Sequence, residues 1–222
     1  HCRVALDRTN EAESAFQHAA ELEKDSPRAQ YQLARFYAAS RNEEKIENTL
    51  KAIEGDFPED PTHSMNLARF YLQSGQPDQA ENELKQTMAK DPDNPQVHIA
   101  LARFYMIQDD RQAAEETLQE AIQELPEAIE PRLALGEMHL SLDQPDKAAD
   151  QFRAAAEAFP DDPRPLRAKA KLEYDQGQVD ASQETLDTLL EKNPGDTFGQ
   201  LLKARIFLKK REPRQAQTIL DK

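Results

Sequence analysis

Residues 61–94 read PTHSMNLARFYLQSGQPDQAENELKQTMAKDPDN, and their spacing decides the fold. Met65, Leu67, Ala68, Phe70, Tyr71 and Leu72 recur at helical intervals and predict one apolar stripe. Gly75-Gln76-Pro77-Asp78 then breaks the chain, with Pro77 suited to the first turn of a new helix. Ala80, Leu84, Thr87 and Met88 make a second stripe, which Asp91-Pro92 stops. The stretch therefore predicts two antiparallel helices joined by a tight turn.

The same arrangement recurs outward in both directions at one constant step. Pro58, Pro92, Pro126, Pro160 and Pro194 form one series. Ala34, Ala68, Ala102, Gly136, Ala170 and Ala204 form another, always small. Leu50, Leu84, Leu118, Phe152, Leu186 and Leu220 form a third, and Ile46, Ala80, Ala114, Ala148, Ser182 and Ala216 a fourth. A small residue at a fixed place on each helix lets two helices approach closely. Nothing disturbs the register from Ala34 to Leu220.

These residues resemble the tetratricopeptide repeat, a 34-residue helix–turn–helix unit. The family's Leu, Gly/Ala, aromatic, Ala, large apolar, Ala and Pro places read Leu67, Ala68, Tyr71, Ala80, Leu84, Thr87 and Pro92. In the next repeat they read Leu101, Ala102, Tyr105, Ala114, Leu118, Ala121 and Pro126. The family's early Trp is absent; Gln30, Ser64, His98, Arg132, Leu166 and Gln200 stand in its place. Lys169 and Glu173 replace a Leu and an aromatic in the fifth full repeat, where Leu172 and Tyr174 are expected to fill the interface. That repeat is also where earliest opening is expected. The resemblance implies an all-α fold, a right-handed α-solenoid superhelix of stacked helix–turn–helix repeats. A single array spans 1–222, with full repeats at 27–60, 61–94, 95–128, 129–162 and 163–196. Partial repeats at 1–26 and 197–222 suggest a fragment of a longer array. Cys2 then falls within a repeat helix, a better reading than a lipid-anchored terminus.

Composition excludes several function classes. The 222 residues include 28 Lys+Arg and 42 Asp+Glu, a net charge of −14. That balance opposes nucleic-acid binding, which needs clustered cations. No stretch approaches the roughly 20 apolar residues of a membrane-spanning helix, so no direct membrane insertion is expected. One cysteine leaves no internal disulfide and no Cys-based zinc site. Phosphate-loop, nucleophile-elbow and His-Glu-x-x-His motifs are all missing, and no cofactor is implied. His63 and His98 are expected to be solvated, and His139, at the aromatic place, packed and hydrogen-bonded. Acidic pairs such as Glu115-Glu116 fall on second helices, which read as a solvated outer face. The expectation is a protein without catalysis.

Binding remains. The family resemblance implies that first helices line a concave peptide groove. One series there is Tyr31, Met65, Ile99, Leu133, Arg167 and Leu201; four residues on come Arg35, Arg69, Arg103, Glu137, Lys171 and Arg205. Beyond them lie Ala38, Leu72, Met106, Leu140, Tyr174 and Leu208. A basic row in an acidic chain suits an acidic protein segment, because guanidinium forks match carboxylates. The candidate surface is Tyr31, Arg35, Met65, Asn66, Arg69, Leu72, Ile99, Arg103, Met106, Leu133, Lys171 and Arg205. The alternative is structural: Glu47, Glu81 and Glu115 share the step, and an Arg–Glu ladder would simply join neighbouring helices. The family's carboxylate clamp matches only at Asn66, since Tyr31, Arg35, Gln96 and Ala100 occupy its other places. Its RNA-binding subtype conflicts with the charge. The expected function is a protein-interaction scaffold. A homo-oligomer through the repeat ends, or the docking region of a larger enzyme, are the alternatives. The run LARFY followed by QPDQA is similar in style to bacterial envelope and exopolysaccharide-export repeat proteins, which leans the expected location to the periplasm or cell envelope, with the cytoplasm as the alternative.

Overall fold

The computed structural model describes residues 2–23, 27–56, 63–73 and 75–220. Pro58, His1 and the side chains of Cys2, His63 and Leu220 lie outside the described residues. Among the described residues there are thirteen α-helices and no strand. They are α1 (Cys2–Leu22), α2 (Pro27–Ala39), α3 (Glu43–Asp56), α4 (His63–Gln73), α5 (Pro77–Lys90), α6 (Pro95–Ile107) and α7 (Arg111–Glu124). Then come α8 (Glu130–Ser141), α9 (Pro145–Ala158), α10 (Pro163–Asp175), α11 (Val179–Lys192), α12 (Thr197–Lys209) and α13 (Pro213–Leu220).

Local chemistry sets the helix ends. Proline occupies the first turn of α5, α6, α8, α9 and α10, where its missing N–H has no helical partner to lose. Asn94, Asp110, Asp162 and Asp196 cap α6, α7, α10 and α12, each side chain accepting from a backbone N–H in the first turn. The turns between first and second helices repeat one geometry. Arg41, Gly75, Asp109, Asp143, Gly177 and Arg211, each one repeat after the last, all have positive φ, between 53° and 78°. At five of them the next residue's N–H donates to a carbonyl five residues back: Asn42 to Tyr37, Gln76 to Tyr71, Gln144 to His139, Gln178 to Glu173 and Glu212 to Phe207. That is the Schellman closure, in which a left-handed residue lets the last carbonyls find donors.

The chain divides into two units, His1–Gln108 and Asp109–Lys222. In the first, α1 to α4 enclose Leu33, Ala34, Tyr37, Ile46, Leu50, Ile53 and Leu67, with Phe16 and Phe70 packed against them. A second cluster, Ala68, Ala80, Leu84, Leu101 and Phe104, joins α4 to α5 and α6. Glu13 of α1 accepts from Tyr37 Oη at 3.1 Å and pairs with Lys45 of α3.

In the second unit, Ala148, Phe152 and Leu172 join α9 to α10, and Ala170, Leu186, Leu189, Leu202 and Ile206 join α10 to α11 and α12. The series that begin at Ala34 and at Ile46 are buried throughout. Where Ser182 replaces alanine, its hydroxyl donates to the Ala170 carbonyl at 2.8 Å. Gly136 and Phe152 replace Ala and Leu together: a Cβ on Gly136 would lie 2.4 Å from Phe152 Cε1.

The fifth repeat is held differently from the others. Lys169 Nζ donates to Glu173 at 2.6 Å and to Thr185 Oγ1 at 2.7 Å, and Thr185 donates on to Glu173 at 2.7 Å. Each member of this half-buried triad is satisfied. Leu172 and Tyr174 pack into the clusters on either side of it. His98 departs from its expected solvation: it is buried, with Nε2 2.8 Å from the Pro92 carbonyl. The loop after α5 supplies an acceptor there, so the ring packs where the family has Trp. His139 is buried and lies 3.1 Å from Gln144 Oε1.

Candidate peptide-binding surface

On α2, Arg28, Tyr31, Gln32 and Arg35 fall at i, i+3, i+4 and i+7, one helical face. On α4, Asn66, Arg69, Phe70 and Gln73 repeat that spacing. The two faces line one cavity of about 370 Å³. Among the described residues its lining holds three arginines, three side-chain amides and two aromatic rings, and no carboxylate. A chain with net charge −14 thus has a site in its first unit whose described charged residues are all cations.

Four of the expected surface residues, Tyr31, Arg35, Asn66 and Arg69, meet in this cavity. The others are placed elsewhere. Met65 and Leu72 are half-buried against the Ala68–Leu84 core, so packing takes most of their surface. Ile99 is only 5% exposed and is corrected from a contact residue to a core residue. Arg103 is exposed and Met106 half-exposed on α6. In the second unit Leu133 packs against the Ala148–Phe152–Leu172 cluster, Lys171 pairs with Asp175 one turn on, and Arg205 is exposed. Sequence reading missed Arg28, Gln32, Phe70 and Gln73; the i, i+3, i+4, i+7 spacing around Arg35 and Arg69 was the available signal.

The ion pairs bear on the ladder alternative. Among the described residues, Arg35, Arg69 and Arg103 make no salt bridge. Glu47 pairs with Lys51. Glu81 pairs with Lys85 at 2.6 Å and accepts from Tyr105 Oη at 2.8 Å. A lysine one turn away on the same helix reaches these glutamates before an arginine on the neighbouring helix does. The Lys85 bond, then the Tyr105 bond, hold the Glu81 carboxyl below its ordinary range. Cross-helix pairs do occur, but between other residues: Arg164 with Glu130 at 2.9 Å and Lys210 with Asp180 at 2.7 Å. Among the described residues, no group of three metal-ligating side chains is found, and no helix is long and apolar enough to cross a membrane.

The tetratricopeptide repeat family's sequence pattern matches residues 3–64, 47–104, 105–172 and 144–206. The chain belongs to the tetratricopeptide repeat family. Members of this family generally serve as protein-interaction scaffolds. No curated protein sequence matches the chain. Solved structures of similar fold include PilF of Pseudomonas aeruginosa, at 20% identity over 95% of this chain and 90% of that one, TM-score 0.52. MamA is similar at 18% identity over 69% of this chain and 90% of that one, TM-score 0.52. A tetratricopeptide repeat protein from Parabacteroides merdae is similar at 14% identity over 98% and 86%, TM-score 0.52. At these identities the likeness is one of helical-repeat fold.

Proposed function

We propose that the first unit binds an acidic, partly apolar segment of another protein along α2, α4 and α6, without chemistry. One observation carries the reading: Arg35, Arg69 and Arg103 are exposed and take none of the chain's own described carboxylates, although acids outnumber bases 42 to 28. Cations left unpaired in a chain of opposite net charge accelerate encounter with an acidic partner. Tyr31 and Phe70 at the cavity wall supply apolar contact area between the charges. The experiment compares wild type with Arg35→Glu/Arg69→Glu/Arg103→Glu, using a labelled peptide of alternating Glu and Leu and its Gln counterpart. Tighter binding of the Glu peptide, weakened by salt and lost in a triple variant of unchanged melting temperature, supports the groove. Equal binding of both peptides, or no effect of the triple reversal, refutes it.

A further inference from the structure

A further cavity of the first unit, about 750 Å³, opens between α3 and α5 over α4. Its floor is apolar: Ile46 and Leu50 of α3, and Leu67, Phe70 and Tyr71 of α4. Arg35, Arg69 and Arg103 do not line it. The next repeat is a control for what this junction can do. Phe104, one repeat after Phe70, is only 4% exposed and packs with Leu84 and Leu101. Phe70 stands among the same residue types, Leu50 and Leu67, yet stays half-buried. Side-chain size therefore does not open the cavity; the placement of α4 against α3 does. An enclosed space over a floor of large apolar side chains suits a ligand with an apolar body.

The charges around this cavity do not balance. Glu47 pairs with Lys51 at 2.5 Å, and Arg41 and Glu43 are exposed where α2 turns into α3. That leaves Glu83 of α5, half-buried, whose carboxylate takes no cation and no hydrogen-bond donor among the described residues. Thr49 and Thr117 hold its place in the repeats on either side. Their hydroxyls donate to carbonyls of their own helices, each at 2.7 Å. Where the neighbouring repeats carry a small, self-satisfied group, this one carries an ionised acid. A half-buried carboxylate is costly until a counter-charge meets it. The Phe70 and Tyr71 rings, 5.9 Å apart, line the same cavity, and the face of such a ring attracts a cation.

We propose that this cavity binds a small amphipathic organic cation, its apolar body on the Leu50–Leu67–Phe70 floor and its ammonium group against Glu83. The volume falls within the range of small-molecule sites. A neutral ligand of the same shape would cover Glu83 without pairing it, and an anion would add a like charge beside it. The chain's net charge of −14 also draws cations rather than anions toward the site.

The test titrates the full chain against naphthylethylamine and its neutral counterpart naphthylethanol, followed by the fluorescence anisotropy of the naphthalene ring. The expected result is one site per chain, with the amine bound about tenfold more tightly than the alcohol. Glu83→Gln, which keeps the shape and removes the charge, brings the amine down to the affinity of the alcohol. Phe70→Ala weakens both ligands about tenfold with circular dichroism unchanged. Failure of both ligands to bind, or equal affinity for the two, overturns the proposal. So does a preference for the amine that survives Glu83→Gln, or a stoichiometry above one, either of which assigns the amine to the acidic surface at large.

Discussion

Gly136→Ala restores the residue found at this place in every other repeat, yet it should destabilise the protein. The new methyl would lie 2.4 Å from Phe152 Cε1 and 2.9 Å from two further ring carbons. Ordinary contact begins near 3.4 Å, so the ring must retreat by about 1 Å. Phe152 is fully buried against Leu172 and Ala148, with Leu133, Ala149 and Ala168 around it, and has nowhere to retreat. Overpacking of this kind costs about 2–3 kcal/mol. The helix gains about 1 kcal/mol from replacing glycine. The net loss is about 1–2 kcal/mol. Phe152→Leu alone opens a cavity and loses about 1–2 kcal/mol. The double variant recreates the Ala–Leu pair of the other repeats and should return close to wild type. A urea-unfolding cycle followed by circular dichroism measures all four proteins. The expected coupling is about 2–4 kcal/mol in favour of the matched pairs. A more stable Gly136→Ala, or single effects that add to within about 0.5 kcal/mol, would refute the reciprocal-fit argument.

Four further outcomes follow from other parts of the molecule. Arg41→Gly and Arg211→Gly should each stabilise by about 0.5–1 kcal/mol in urea melts, because a Cβ at positive φ is strained, while Gly177→Ala should lose about 1 kcal/mol. Lys169→Ala leaves Glu173 buried without its cation and should lose about 2–3 kcal/mol, whereas Lys169→Leu/Glu173→Phe, closer to the family pattern, should lose less than the single change. The Arg164 side chain holds the Asp162 carboxyl below the ordinary aspartate range. This stabilisation is present above the unfolded value near about pH 4 and is lost as pH falls through the lower folded value, so Asp162→Asn should flatten the acid limb of a stability-against-pH curve. Hydrogen exchange should be faster in α4 than in α10. Cavities of about 370 and 750 Å³ flank α4, against one of about 400 Å³ beside α10, where the Lys169–Glu173–Thr185 triad also ties α10 to α11; slower exchange in α4 would contradict this.

The last expectation reverses the sequence reading of the fifth repeat, and the reason is instructive. Lys169 and Glu173 break the apolar pattern, and pattern alone marks them as weak points. Their mutual bonds through Thr185, on another helix, become visible only when α10 and α11 are placed together. His98 was misjudged for the same reason, since its acceptor is a carbonyl in the preceding loop. The helix pairs themselves were legible because small, large and proline places repeat at an unbroken step. The left-handed turns were only half legible: glycine marks two of the six, but Arg41, Asp109, Asp143 and Arg211 carry no such flag. The cavity facing Arg35 and Arg69 needed the separation of α2 and α4, which no one-dimensional spacing encodes. The partners of Glu47 and Glu81 depended on which cation was nearer, and same-helix lysines were nearer than the arginines of the next.

The five-residue closures between first and second helices have a consequence for how the chain reaches its native state. Each joins groups only a few peptide bonds apart, so little loop entropy is lost in forming a helical hairpin. Such hairpins assemble early, and a fold dominated by short-range contacts is a fast one. Because the same closure recurs along the sequence, no single segment must act as the nucleus. A nascent chain could order its leading hairpins while the rest is still being synthesised, shortening the interval in which Phe152 or Leu189 is open to solvent.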